Sequence, residues 1–225
     1  MTIDTNTSKT IGGIGSLLTL ISVFMLFLPI PYVAIITMLI GVALILTGLY
    51  GLSVHYREAG IFKNGLIGTV AGIVGIVIAL ILVIILIMPV AATMMQQMVP
   101  GWNGDWNTQP STIPDMSNID TNQLLESGFA ILVNFVIVFG VLCIFAIIAT
   151  FFIRQSLNLL KEKSDIGLFG TAGIMMLIGG CLTIILLGLI IIWIATLLLA
   201  IAFFQVKNQE PNANQYTAYQ PPTTT

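Results

Sequence analysis

Charge is nearly missing from this chain, which holds seven Lys and Arg, nine Asp and Glu and one histidine among 225 residues, so that 7% of it is charged. Soluble domains carry about a quarter charged residues, so an ordinary water-facing surface is excluded. With His55 as the single histidine, paired-histidine metal motifs such as HExxH cannot be built. No apolar run holds a pair of carboxylates, which excludes acid–base hydrolysis inside a membrane. No such run holds an ionisable side chain at all, although proton- and sodium-coupled carriers commonly keep one there. The two cysteines, Cys143 and Cys181, fall within apolar runs and read as small buried residues rather than a disulfide or redox pair. No catalytic residue, metal site or cofactor is therefore expected, and the chain is not expected to be an enzyme or to bind nucleic acid.

What remains is apolar: 57% hydrophobic residues and a mean hydropathy of +1.06. In hydrocarbon a backbone amide has no water to bond, so a spanning segment is a helix or part of a closed barrel. The runs here are continuous rather than alternating and approach the roughly 20 residues that a ~30 Å core requires of a helix. The expectation is an all-α polytopic membrane bundle of about six transmembrane helices, at about 11–28, 32–53, 66–88, 128–153, 168–187 and 189–204. Pro29-Ile30-Pro31 separates the first two, because proline lacks an amide hydrogen and restrains its predecessor. Gly60 and Gly167 are read as helix stops. Leu168 to Phe204 is too long for one crossing unless steeply tilted, so it is divided near Leu187-Gly188, with a single long helix as the alternative.

Orientation follows from the cations. Lys9, Arg57 with Lys63, Arg154 with Lys161 and Lys163, and Lys207 share one face if six spans are present, and the positive-inside rule makes that face cytoplasmic. Residues 1–10 then form a short cytoplasmic N-terminus, 11–206 a single membrane domain in the cell membrane, and 207–225 a disordered cytoplasmic tail rich in Asn, Gln, Pro and Thr. The stretch 99–127 becomes an external loop, with Trp102 and Trp106 as interface anchors and Asp105, Asp115 and Asp120 spaced too widely for a metal site.

Helix association in lipid relies on close backbone approach, which small residues allow. Gly68, Gly72 and Gly75 put such a groove on the third span, and Asn134 is read as a hydrogen-bonding staple in the fourth. Gly12, Gly13 and Gly15 open the first span in the same manner. These faces are candidates for contact within the bundle, with a protein partner or in a homo-oligomer. At the inner face, His55, Arg57 and Lys63 are candidates for contact with lipid headgroups. A weak internal echo pairs Arg57-Glu58 and Leu66-Ile67-Gly68-Thr69 with Lys161-Glu162 and Leu168-Phe169-Gly170-Thr171.

Segments at Lys9 to Gly15, at Gly48 to Ser53 with Ile61 to Asn64, at Ser156 to Leu160, at Gly167 to Gly173 and at Ile201 to Phe204 resemble the family catalogued as domain of unknown function 996, mainly archaeal multi-pass integral membrane proteins. The resemblance covers roughly Lys9 to Val206. It implies the helical architecture and carries over no functional residue. The function expected from the residues is a non-enzymatic scaffold, assembly or membrane-organising component in the lipid bilayer, and the alternative is a small carrier or channel for a neutral or apolar solute.

Overall fold

The computed structural model describes residues 5–25, 31–99, 121–183 and 187–206. These residues are helical, with no strand among them: α1 (Thr5–Met25), α2 (Pro31–His55), α3 (Ala59–Leu82), a π-helical turn (Val83–Ile87), α4 (Met88–Met98), α5 (Thr121–Ser164), α6 (Gly167–Leu182) and α7 (Leu187–Gln205). Five stretches are long and apolar enough to cross a membrane, at Thr5–Met25, Tyr32–His55, Ala59–Met98, Asn122–Ser164 and Leu187–Gln205. The chain is thus an all-α bundle of the polytopic kind. Helix α6 is shorter, with 16 residues, about 24 Å at 1.5 Å per residue.

Several helices outrun their apolar cores. Helix α1 starts at Thr5, so much of the predicted N-terminal segment 1–10 is helical, and α3 starts at Ala59 rather than 66. Helix α5 takes in 121–127 from the predicted loop 99–127 and runs on to Ser164. Hydropathy marks where a helix meets lipid, whereas polar residues such as Asn122, Gln123 and Glu162 continue the same helix at a cost of at most about 0.7 kcal/mol each. Within Leu168–Phe204, α6 ends at Leu182 and α7 starts at Leu187. The Pro29 hairpin, the tail 207–225 and most of the 99–127 loop lie outside the described residues.

The chain divides into two compact units. The first comprises Met1–Gly65, Gln155–Ile174 and Trp193–Thr225. Its core is glycine against backbone. A Cβ on Gly48 would stand 2.6 Å from the Gly12 Cα and 3.0 Å from the Ser8 carbonyl oxygen, and one on Gly15 would stand 2.7 Å from the Gly41 carbonyl oxygen. Helices α1 and α2 therefore touch backbone to backbone along Ser8, Gly12 and Gly15. Helix α7 adds the Phe203 ring against Gly12 and the Phe204 ring against Gly13. The Trp193 indole meets Phe24 edge to face at 5.4 Å.

Two tight turns in this unit each end a helix on a left-handed residue. At the first, the Glu58 amide donates to the Ser53 carbonyl (2.9 Å) and the Arg57 amide to the Val54 carbonyl (3.2 Å), the paired bonds of a Schellman motif. Arg57 takes the left-handed conformation that motif requires, with φ 51°. At the second, the Asp165 amide donates to the Lys161 carbonyl (2.9 Å) and Asp165 has φ 58°. The helix stops are thus Arg57 and Asp165, while Gly60 and Gly167 belong to the helices that follow. Counted from these two residues, Leu49 matches Leu157, Leu52 matches Leu160 and Ile61 matches Phe169, and all six are at most 4% exposed. This register differs from the sequence echo, which set Leu66–Thr69 beside Leu168–Thr171.

The second unit comprises Leu66–Arg154 and Met175–Ile192. Here α3 lies against α5 through Gly68 and Gly75, and α6 meets α7 at Gly179 and Gly188. A Cβ on Gly188 would run into the Gly179 carbonyl and the Thr183 amide, so only glycine lets the chain double back there.

Candidate functional site

Hydroxyl groups buried among apolar side chains must find acceptors, and in this chain they find them in their own helices. Ser16 donates to the Gly12 carbonyl (2.9 Å), Ser22 to Thr19 (2.7 Å), Thr150 to Ala146 (2.8 Å) and Thr183 to Gly179 (2.9 Å). Ser156 behaves differently. Its Oγ donates across helices to the Ile61 carbonyl at 2.5 Å, tying α5 to α3 beside Gly65.

The candidate headgroup residues gather around the first turn. The His55 Nδ1 is hydrogen-bonded to the Thr5 hydroxyl at 2.9 Å, and its ring meets Tyr56 edge to face at 4.9 Å. Burial pushes the half-buried Tyr56 phenol up from its ordinary value. Arg57 and Lys63 are exposed. Glu58 forms an ion pair with Lys163 at 3.5 Å, and Lys9 Nζ donates to the Val206 carbonyl at 3.2 Å. The pairings of Thr5 with His55 and of Glu58 with Lys163 join residues far apart in the chain, which spacing along the sequence does not reveal.

In the second unit the predicted glycine groove separates into unlike positions. A Cβ on Gly68 would stand 2.7 Å from the Ala149 carbonyl oxygen, and one on Gly75 would collide with Phe145. One on Gly72 would make an ordinary 3.7 Å contact with the Ala149 methyl. That face of α3 is therefore occupied by α5 of the same chain. Asn134 Nδ2 donates to the Leu86 carbonyl at 2.9 Å. Leu86 belongs to the π turn, in which the Met88 amide reaches back to the Val83 carbonyl. The turn precedes Pro89, whose ring would clash with the carbonyl four residues before it in an α-helix and which has no amide to donate. Asn134 thus ties α5 to the carbonyl of a residue within this turn.

The polar atoms buried without a partner among the described residues are Arg154 Nε and Gln97 Oε1. Among the same residues no group of three His, Cys, Asp or Glu side chains is placed to hold a metal. Cys143 and Cys181 are both free thiols. Trp102, Trp106, Asp105, Asp115 and Asp120 lie outside the described residues.

The model of the family described as "Protein of unknown function (DUF996)" matches residues 37–197, more than two thirds of the chain. The chain belongs to this DUF996 family. The match begins within α2 and ends within α7, so it takes in both tight turns, the glycine contacts of α3 with α5 and the Asn134–Leu86 bond. No curated protein and no solved structure matches the chain. DUF996 membership thus fixes a helical framework and assigns no reaction to it.

Proposed function

We propose that this DUF996 protein is a non-enzymatic scaffold or membrane-organising component that crosses the cell membrane six times, with both termini in the cytoplasm. The observation that carries the reading is the fate of the polar groups within the helices. Ser16, Ser22, Thr150 and Thr183 donate to carbonyls of their own helices, and the amide of Asn134 is committed to Leu86. A carrier needs such groups for its solute, whereas a packing framework needs them satisfied internally. The glycine contacts at Gly12, Gly48, Gly68 and Gly188 support the same reading, since close backbone approach is how helices associate in lipid. Lys9, Arg57, Lys63, Arg154, Lys161 and Lys163 then lie on the cytoplasmic face.

Flux measurements test the role. Liposomes containing the purified protein should pass glycerol, urea and small apolar solutes no faster than empty ones, and saturable uptake well above that background would refute it. Single cysteines test the topology in a background with Cys143 and Cys181 replaced by alanine. An impermeant thiol reagent added to intact cells should label Asn122→Cys and spare Lys63→Cys and Glu162→Cys. Labelling of all three would overturn the six-span arrangement.

A further inference from the structure

Tight contact between α3 and α5 ends at Gly75 and Phe145. Beyond that point large side chains stand along one seam, Ile76, Leu80 and Val83 on one side and Phe135, Val138 and Leu142 on the other, around a wholly apolar trough of about 360 Å³. Farther along the same two strands of helix, Pro89 and Thr93 of α4 face Glu126 and Ser127 of α5 across a second hollow of about 300 Å³. Between the two hollows sits the Asn134–Leu86 hydrogen bond. Within each hollow the lining positions recur in steps of three or four, and Leu86 and Asn134 fall between the two sets, so both hollows lie along one seam. From Ile76 to Thr93 that seam extends about 25 Å at 1.5 Å per residue.

The two hollows differ in chemistry. The trough offers nothing but hydrocarbon contact. The crevice is rich in acceptors: the Glu126 carboxylate accepts only, the Thr93 hydroxyl already donates its hydrogen to the Pro89 carbonyl at 3.0 Å, Pro89 contributes no amide hydrogen, and the Ser127 hydroxyl can both donate and accept. Among the described residues no Lys, Arg or His lines it. An occupant that matches both hollows has an apolar chain at one end and hydrogen-bond donors with positive charge at the other. Each volume lies at the lower end of the roughly 300–1,000 Å³ typical of small-molecule sites.

We propose that the seam between α3–α4 and α5 binds one membrane lipid, with an acyl or prenyl chain in the trough and an ammonium-bearing head at Glu126, Ser127 and Thr93. This goes beyond the scaffold reading and requires only that α3 to α5 lie in a bilayer, so a lipid result leaves the flux result standing by itself. The full-length protein in detergent, mixed with equal amounts of phosphatidylethanolamine, phosphatidylcholine and phosphatidylglycerol, is read by native mass spectrometry. One phosphatidylethanolamine should be retained in preference to the others by roughly tenfold, the scale of a single charge-assisted hydrogen bond. Glu126→Gln, at an exposed position, should remove that preference while leaving chain binding intact. Ala79→Phe, which fills the trough, should remove the retained lipid of every class. If Ala79→Phe does not fold, Glu126→Gln decides alone. Equal retention of the three lipids, preference for phosphatidylglycerol, or an unchanged preference in Glu126→Gln overturns the proposal.

Discussion

Replacing Gly48 with alanine adds a single methyl group at the closest approach of α1 to α2. That carbon would stand 2.6 Å from the Gly12 Cα, 2.8 Å from the Gly12 nitrogen and 3.0 Å from the Ser8 carbonyl oxygen. Ordinary carbon contacts are about 3.5–4.0 Å, so the helices must part locally by about 1 Å. All three neighbours are backbone atoms and cannot rotate aside. Overpacking of this kind costs about 1–3 kcal/mol, against which alanine returns at most about 1 kcal/mol of helix propensity over glycine. With the full propensity return the net expectation is a loss of up to about 2 kcal/mol. Two glycines serve as controls: at Gly72 the added carbon makes a 3.7 Å contact with the Ala149 methyl, and at Gly140 nothing lies within 4 Å. Gly72→Ala and Gly140→Ala should hold or raise stability. Reversible unfolding in dodecyl maltoside micelles titrated with SDS, followed by circular dichroism, measures the shift. If Gly48→Ala unfolds at the wild-type SDS fraction, or Gly72→Ala falls as far, then the glycine contacts do not set the α1–α2 seam as argued.

Arg57 holds a left-handed conformation that costs an ordinary residue about 1–2 kcal/mol, so Arg57→Gly should raise the thermal midpoint in detergent by relieving about 1 kcal/mol; a fall would reveal a compensating contact of the side chain. Ser156→Ala removes the bond to the Ile61 carbonyl and should cost about 1 kcal/mol, measured in the same SDS titration, since the carbonyl keeps its helical amide. Lys163→Gln breaks the ion pair with Glu58, whose side chains are 44% and 33% exposed. It should change stability by less than about 0.5 kcal/mol and lose even that in high salt.

The apolar runs made the helical architecture legible. The true ends of α1, α3 and α5 were not legible, because Thr5, Ala59 and Thr121 begin helices outside the apolar windows. Gly41 and Gly48 escaped notice because seven residues separate them, so no four-residue spacing announces their contacts with α1. At the two turns the nearby Gly60 and Gly167 were the stronger local signal, whereas the left-handed residues are an arginine and an aspartate. Asn134 was singled out as the most polar residue in its span. Its partner could not be read, since a carbonyl in a run of Val, Ile and Leu looks like any other until the helix widens around it.

The widened turn at Val83–Ile87 acts as an angular spacer. One surplus residue rotates everything after it by about 100°, a full step of a 3.6-residue helix, so the bearing of Pro89 and Thr93 toward α5 is set in the turn that precedes them. Shortening that turn by one residue would leave the hydropathy profile almost untouched while swinging those side chains around the axis. Length in this helix is therefore a steering parameter, and neighbouring isoleucines are less interchangeable than their chemistry implies.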